Sequence, residues 1–246
     1  MVALDNDLVG YFIKIFIKKE SVKIDKNIQN FIKYLRLPVV ISTYQNKAFE
    51  NPVVAKQQNG FIRLIREDRL EKIYKKTYLK LILSLSENDF PYLNVNGDKF
   101  ENNFTATYIS GNKTKILEHI KALIEDSEKV GIYDKYLFFD NLRNNNHISD
   151  HYSVAFLNQI LPISSNIKVQ CYNEKQNNQS ETDRIKQRIA LFPNISFDHQ
   201  NLNEHDRYIK IYKHNVLKYE IILSSGIFNI LNHNKDISYI VRIINR

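Results

Sequence analysis

After Gly111 the sequence alternates between segments of helical and strand periodicity, and this alternation limits the possible folds more than any other feature. Three segments place apolar residues at helical spacing and end near a glycine or proline: residues 114–128, 152–161 and 182–192. Strand-like apolar runs lie between and after them: residues 132–139, 167–172, 195–197, 208–212, 219–223 and 237–244. This order favours the α/β class, with helices packed on a mixed sheet.

The first half of the chain is less regular. Strands are predicted at residues 11–17, 38–43, 61–65 and 78–85. Helical segments are predicted at residues 26–35 and 66–76, the second as a charged helix or turn. Residues 86–103 are rich in Asn and Asp, as linkers are, and residues 104–109 are predicted to be a closing edge strand. We therefore predict an α+β recognition or partner domain at residues 1–110 and a mixed-sheet domain at residues 111–246.

Composition narrows the class of partner. The chain has 246 residues, of which 43% are hydrophobic and 25% charged, so it can bury a large core and is neither disordered nor fibrous. Lys and Arg number 35 against 27 Asp and Glu, and the formal charge of +8 favours nucleic acid or an acidic membrane surface. Cys171 is the only cysteine, so no internal disulfide forms and a cytoplasmic location is expected. The apolar run at residues 11–17 is interrupted by Lys14 and is too short to span a bilayer.

Two basic segments interleave cations with aromatic side chains, as surfaces that bind nucleic acid do. The candidate nucleic-acid-binding residues are Lys14, Lys18, Lys19, Arg63, Arg66, Arg69, Lys72, Lys75 and Lys76. Solvated faces of a lysine-rich protein have the same composition, so the pattern alone does not separate the two interpretations.

The segment EHDRYIK at residues 204–210 gives the most specific indication of function. His205 and Arg207 are two residues apart, so on a strand they face the same side and can meet one phosphate. Lys210 faces the other side of that strand. The next strand ends in LSSGIFN, whose hydroxyl and amide groups can donate to the same anion. The candidate phosphate-binding residues are Ser224, Ser225 and Asn229 of this turn, together with Lys210 on the other side of the strand.

The HDRY run, the SSG turn and the upstream run IYDKY together resemble the degenerate branch of the phospholipase D-like superfamily, over about residues 112–246. Members of this branch have one H-D-R where phospholipase D enzymes have H-x-K, a following Asp and a Gly-Ser-x-Asn stretch. The resemblance implies a mixed α/β sheet that often dimerises. It also implies that His205 stands at the position of the phosphate-attacking nucleophile and Arg207 at that of the phosphate-holding lysine.

The sequence departs from the active enzymes in having a single motif without the downstream Asp in register. Degenerate relatives include non-catalytic modules, whereas in single-motif nucleases of the superfamily a dimer supplies the second motif. If the site is catalytic, the resemblance implies metal-independent phosphodiester cleavage through a phosphohistidine, with no cofactor. A second general acid is then needed, and His214, His199 and Asp134 are the candidates. The competing interpretation of the HDR run is an ion-pair cluster at a strand edge.

Other histidines suit structural roles better. His119 and Lys121, with Asp126 beyond them, spell H-x-K-x4-D, but on the helix predicted there they lie about 200° apart and cannot hold one phosphate. His147 and His151 have the spacing of two metal ligands on a helix, but their Asn-rich surroundings favour a helix cap. No metal site is therefore predicted.

Two functions follow as hypotheses. The first is a phospholipase D-like nuclease that cleaves DNA or RNA, with defence against mobile DNA as its setting. The alternative is a non-catalytic phospholipase D-like module that holds nucleic acid or a protein partner, as a homodimer or in a larger assembly. Peripheral binding to acidic lipid ranks last because the sequence has no amphipathic anchor. No Walker-type loop and no G-x-S-x-G occur, so nucleotide hydrolysis and α/β-hydrolase chemistry are not supported.

Overall fold

The computed structural model describes residues 1–23, 25–35, 38–48, 62–102, 106–137, 152–162, 167–172, 195–198, 207–232 and 237–244. The chain divides into two compact units, Met1–Ile109 and Ser110–Arg246. One sheet is wholly parallel and the other mixed, and both occur with helices, so the predicted α/β class is confirmed.

The helices are α1 (Asn6–Phe12), α2 (Lys26–Tyr34), α3 (Thr43–Ala48), α4 (Leu70–Ile73), α5 (Lys113–Ile124), α6 (Tyr152–Ile160) and α7 (Ile227–Asn232). A π-helical turn (Ile13–Ile17) continues α1, and a 3₁₀ turn (Tyr74–Lys76) continues α4. The strands are β1 (Val2–Leu4), β2 (Val39–Ser42), β3 (Ile62–Ile65), β4 (Ile82–Ser84), β5 (Tyr92–Asn94), β6 (Lys99–Asn102), β7 (Ala106–Gly111), β8 (Lys129–Tyr133), β9 (Lys168–Tyr172), β10 (Ile195–Asp198), β11 (Arg207–Lys213), β12 (Val216–Leu223) and β13 (Ile237–Ile243).

The first sheet has the strand order β3-β2-β1-β4-β5, and every pairing in it is parallel. Its strands β1 and β2 are buried throughout, as expected of strands covered on both faces. A parallel sheet of this kind is α/β, so the finer prediction of an α+β unit is wrong. The predicted linker at residues 86–103 contains β5 and β6, because its turn-forming Asn and Asp residues only separate short strands.

Residues 11–17 were expected to be a strand, and this prediction is wrong because they end α1 and form the π-helical turn. Asp5 begins the helix, since its carboxylate accepts a hydrogen bond from the backbone N–H of Leu8 at 2.8 Å. Leu8 and Phe12 are both fully buried and lie one helical turn apart. The apolar run therefore belongs to an amphipathic helix whose start lies before it.

In the first sheet the strand order reverses between β1 and β4, the position where parallel α/β sheets usually bind ligands. At this position the side chains of Asp5 and Gln45 form hydrogen bonds with backbone groups of the protein. Asp5 Oδ2 accepts from the N–H of Leu85 at 3.3 Å. Gln45 donates to the carbonyl of Leu4 at 3.0 Å and accepts from the N–H of Ser42 at 3.0 Å. These bonds join the ends of neighbouring strands.

The second sheet has the order β10-β9-β8-β11-β12-β13-β7-β6. Strands β8, β9 and β10 are mutually parallel, whereas β11 is antiparallel to β8 and β12, and β12 is antiparallel to β13. Residues 104–109 were predicted as an edge strand of the first unit, but the strand found there, β7, joins this second sheet between β13 and β6. The boundary between the two units falls within β7.

Helices α5, α6 and α7 cover one face of the second sheet. His119 of α5 contacts Tyr239 of β13, and Tyr152 of α6 packs edge-on against Phe228 of α7, with ring centroids 5.3 Å apart. Helix α5 agrees with the predicted helix except that it ends at Ile124, and Gly131, expected to end it, lies within β8. The helix predicted at residues 182–192 lies outside the described residues. In the described part of the chain, no helix is long and apolar enough to cross a membrane.

Candidate functional site

Asp134, Arg207 and the SSG turn lie at one edge of the second sheet. β8 ends at Tyr133, which pairs with Tyr208 of β11, and β12 ends at Leu223, which pairs with Arg207. Because β11 runs against both neighbours, its first residue meets the residues that follow β8 and β12. The segments IYDKY and SSG, which the sequence singled out, therefore meet Arg207 and Tyr208 of the HDRY run at this edge.

Asp134 is the anchor of the edge, with only 2% of its surface exposed. Its Oδ1 accepts from the N–H of Tyr136 at 2.9 Å, and its Oδ2 accepts from the N–H of Ile227 at 3.1 Å. Arg207 Nε lies 3.7 Å from Oδ2, and this buried nitrogen has no hydrogen-bond partner among the described residues. A Cβ at Gly226 would lie 3.2 Å from the same nitrogen, so the glycine gives the guanidinium its space. The cation proposed to hold phosphate is thus balanced by a carboxylate.

The hydroxyl and amide groups of the turn are partly engaged. Asn229 Nδ2 donates to Ser225 Oγ at 2.9 Å, and the N–H of Ser224 donates to the carbonyl of Ser238 at 3.1 Å. The Ser224 residue is exposed, whereas Ser225 and Asn229 are half-buried. The predicted donors therefore lie together, but the Asn229 amide is directed at Ser225.

Exposed aromatic side chains border the edge. Tyr136 is 39% exposed and Phe228 is 36% exposed. The Nζ atom of Lys135 lies 5.9 Å from the ring centroid of Tyr136.

Other candidates of this motif lie apart from the edge or outside the described residues. His214 stands in the turn between β11 and β12, at the other end of β11 from Arg207, with Nδ1 3.1 Å from Glu128 Oε1. Lys210 faces the opposite side of the sheet from Arg207, as the two-residue period requires. Of the motif and its candidate acids, His199, His205 and Asp206 lie outside the described residues, and so do His147 and His151, which were considered as a metal pair.

His119 and Lys121 of the H-x-K-x4-D pattern lie on helix α5, as predicted, whereas Asp126 follows its end. The His119 side chain is fully buried and its Nδ1 shares a hydrogen bond with the hydroxyl of Tyr239. Lys121 is exposed, so the two side chains cannot hold one phosphate. His119 is therefore a core residue with a polar partner.

The nine basic candidates of the N-terminal unit are all exposed: Lys14, Lys18, Lys19, Arg63, Arg66, Arg69, Lys72, Lys75 and Lys76. Among them, Lys18 pairs with Glu20 at 3.8 Å and Lys76 pairs with Glu67 at 3.2 Å. The first group follows α1 and the second extends from β3 through the 3₁₀ turn after α4. The aromatic interleaving expected of the first group is reduced, because Phe12 is buried in the core.

The sheet face opposite the helices was not predicted as a site. We call it the tyrosine–lysine face. By alternation along the strands it includes Lys129, Gly131 and Tyr133 of β8, Lys168, Gln170 and Tyr172 of β9, Tyr208, Lys210 and Tyr212 of β11, Glu220 and Ile222 of β12, and Ile240 and Arg242 of β13. Of these residues, Gly131, Tyr172 and Glu220 are buried. The alternation in RYIKIYK, where Ile209 and Ile211 are buried and their neighbours are not, was the signal for it.

Rings and cations alternate across this face. Tyr133 and Tyr172 are cross-strand neighbours whose rings stack at a centroid distance of 4.0 Å. Lys210 Nζ lies 4.9 Å from the Tyr133 centroid and 5.4 Å from the Tyr208 centroid. Lys129 Nζ lies 5.4 Å from the Tyr212 centroid. The ammonium groups are therefore held by tyrosine rings.

Glu220 provides the carboxylate among the described side chains of the face. Its Oε1 accepts from Arg242 Nη1 at 2.7 Å, and its Oε2 lies 3.9 Å from Lys210 Nζ. The cations of the face are Lys129, Lys168, Lys210 and Arg242. One carboxylate between two of these cations fixes their positions but leaves the face with a positive charge.

Tyr133 and Tyr212 of the face add no negative charge at neutral pH. Burial raises the pKa of Tyr133 above its ordinary value, and its hydrogen bond with Tyr172 acts in the same direction. Burial also raises the pKa of Tyr212. Both phenols therefore stay protonated and can donate hydrogen bonds.

The described residues contain no group of three or more His, Cys, Asp or Glu side chains arranged to hold a metal ion. No protein-family model matches the sequence, and no curated protein matches it either.

Proposed function

We propose that this chain binds nucleic acid and that the tyrosine–lysine face of the C-terminal unit is the binding surface. The observation that carries the proposal is the row in which Lys210 lies between the rings of Tyr133 and Tyr208. Cations neutralise phosphates, and aromatic rings contact bases, so the row supplies both parts of such a contact. The formal charge of +8 supports an anionic partner.

A binding role without catalysis is favoured over cleavage by the state of Arg207. A cation that stabilises a phosphate in a reaction must keep its charge directed at that phosphate. Arg207 faces the buried carboxylate of Asp134 instead, at 3.7 Å. We therefore place the non-catalytic module first and nuclease activity second.

The test of binding is a fluorescence-anisotropy titration with labelled oligonucleotides over a series of salt concentrations. Each phosphate contact to a single strand contributes about 0.7 to the salt slope, so the double variant Lys129→Gln/Lys210→Gln should bind about 25-fold more weakly at about 0.1 M salt. The control variant Lys121→Gln/Lys47→Gln removes the same charge from exposed positions outside the face. Equal losses in both variants would show that net charge, and not this face, controls binding.

Cleavage is the second candidate, because Arg207 lies near Gly226 of the turn in which Asn229 donates to Ser225. Purified protein is incubated with labelled DNA and RNA in EDTA, beside the variants His205→Ala and His214→Ala. Cleavage that survives EDTA and is lost only with His205→Ala would establish a phosphohistidine mechanism. Binding without cleavage in all three proteins would support the binding module.

A further inference from the structure

We propose that the ligand of the tyrosine–lysine face is single-stranded nucleic acid, whose unpaired bases stack on the tyrosine rings. This inference rests on the proposed function and adds the form of the nucleic acid and the mode of contact. The accessible rings stand on two neighbouring strands, with Tyr133 on β8 and Tyr208 on β11, whereas Tyr172 on β9 is buried and stacks on Tyr133. Neighbouring strands are about 4.8 Å apart, so the two half-buried rings offer about 5 Å of the face.

The geometry favours unpaired bases over a duplex. A duplex keeps its base faces inside the helix and offers a flat surface only phosphates, whereas a single strand offers both phosphates and base faces. Of the four cations on the face, Lys210 and Arg242 are paired with Glu220. Phosphate contacts alone therefore give limited binding energy, and the rings must supply the rest.

The positions of the lysines agree with a single-stranded nucleic acid that runs across the β-strands of the sheet. Lys168, Lys129 and Lys210 lie on β9, β8 and β11, three strands that are neighbours in the sheet. A nucleic-acid chain lying across these strands meets a cation on each of them and a half-buried ring on β8 and on β11. Stacking is indifferent to base identity, so the inference includes binding with little sequence preference.

Gly131 offers a variant that tests ring position without removing a ring or a charge. A Cβ at this position would lie 2.9 Å from Cε2 of Tyr133, which is too close, so the ring must move. The Gly131 residue is opposite Lys210 in the ladder between β8 and β11. Gly131→Ala should therefore disturb the row at its centre while all charges of the face remain.

The experiment compares a single strand of about 20 nucleotides with its duplex at about 0.1 M salt, for the wild type and variants of Tyr133 and Gly131. Loss of one stacked ring costs about 5- to 150-fold in affinity, so Tyr133→Leu should weaken single-strand binding by that amount. Tyr133→Phe keeps the ring and should bind within a few-fold of the wild type. Thermal melts followed by circular dichroism verify that each variant is folded, and if Tyr133→Leu is not, Gly131→Ala decides the question.

The outcomes separate the two proposals. Tighter binding of the single strand, with losses in Tyr133→Leu and Gly131→Ala but not in Tyr133→Phe, would support stacking. Equal affinity for both forms, unchanged in these variants, would overturn the single-strand inference while nucleic-acid binding stands. Failure to bind either form would refute the proposed function as well. Self-association that is lost in the same variants, without nucleic-acid binding, would assign the face to a second copy of the chain.

Discussion

Replacing Asp134 by alanine should destabilise the C-terminal unit strongly, because this carboxylate joins three segments. It accepts from the N–H groups of Tyr136 and Ile227 and faces Arg207. Losing hydrogen bonds to a charged acceptor costs about 1.5–3 kcal/mol each, so the loss of two in Asp134→Ala should lower the free energy of unfolding by about 3–6 kcal/mol. The Arg207 interaction adds little, since the guanidinium side chain is 28% exposed and partly screened by water.

The assay for this prediction is urea denaturation followed by circular dichroism. Asp134→Asn keeps one acceptor oxygen and should lose about half as much free energy as the alanine variant. Glu118→Gln, an exposed position on α5, is the matched control and should stay within about 0.5 kcal/mol of the wild type. An Asp134→Ala protein within about 1 kcal/mol of the wild type would refute the role of Asp134 as the anchor of the edge.

Three further predictions follow from the structure. Burial raises the pKa of Cys171 to about 12, so on the order of one thiol in ten thousand is ionised at pH 8; Ellman's reagent should react only after unfolding, and rapid labelling of native protein would contradict this. Tyr239→Phe removes the partner of buried His119 and should cost about 1–3 kcal/mol in urea denaturation, whereas Tyr44→Phe, at an exposed residue, should cost almost nothing; equal effects would contradict the assignment. Single-strand affinity should fall with salt at a log–log slope of about −2 to −3, from three or four phosphate contacts, and an affinity independent of salt would exclude the proposed surface.

Local periodicity predicted many individual elements. The alternation of buried and half-exposed residues in Arg207–Lys213 identified a strand, and the apolar stripe of Lys113–Ile124 identified a helix. Both signals depend only on residues that are close in sequence. The error at residues 11–17 has the same origin, because the signal for the helix there is Asp5, which lies before the apolar run.

Strand order could not be predicted in this way. The parallel order of the first sheet and the membership of β7 in the second depend on pairing between strands far apart in sequence. Periodicity describes which face of a strand is buried, but it does not name the neighbouring strand. For this reason two predictions were wrong: that the first unit is α+β, and that residues 86–103 are a linker.

The same contrast between local periodicity and strand pairing applies to the candidate sites. The sequence could place Arg207 and Lys210 on opposite sides of one strand, because that follows from the two-residue period. It weighed Asp134 only as a candidate acid, since nothing local indicates that this residue faces Arg207. The row of Tyr133, Tyr172 and Lys210 arises only when β8, β9 and β11 become neighbours. Pairing between distant segments thus creates both the anchored edge and the tyrosine–lysine face.

The most direct test of the central claim is photochemical crosslinking of a single-stranded oligonucleotide to the wild-type protein, with the crosslinked peptides identified by mass spectrometry. We predict crosslinks in the peptides that contain β8 and β11, at Tyr133 or Tyr208, and their loss in Tyr133→Leu. Crosslinks confined to the N-terminal unit or to the SSG turn, with none on these two strands, would contradict the account.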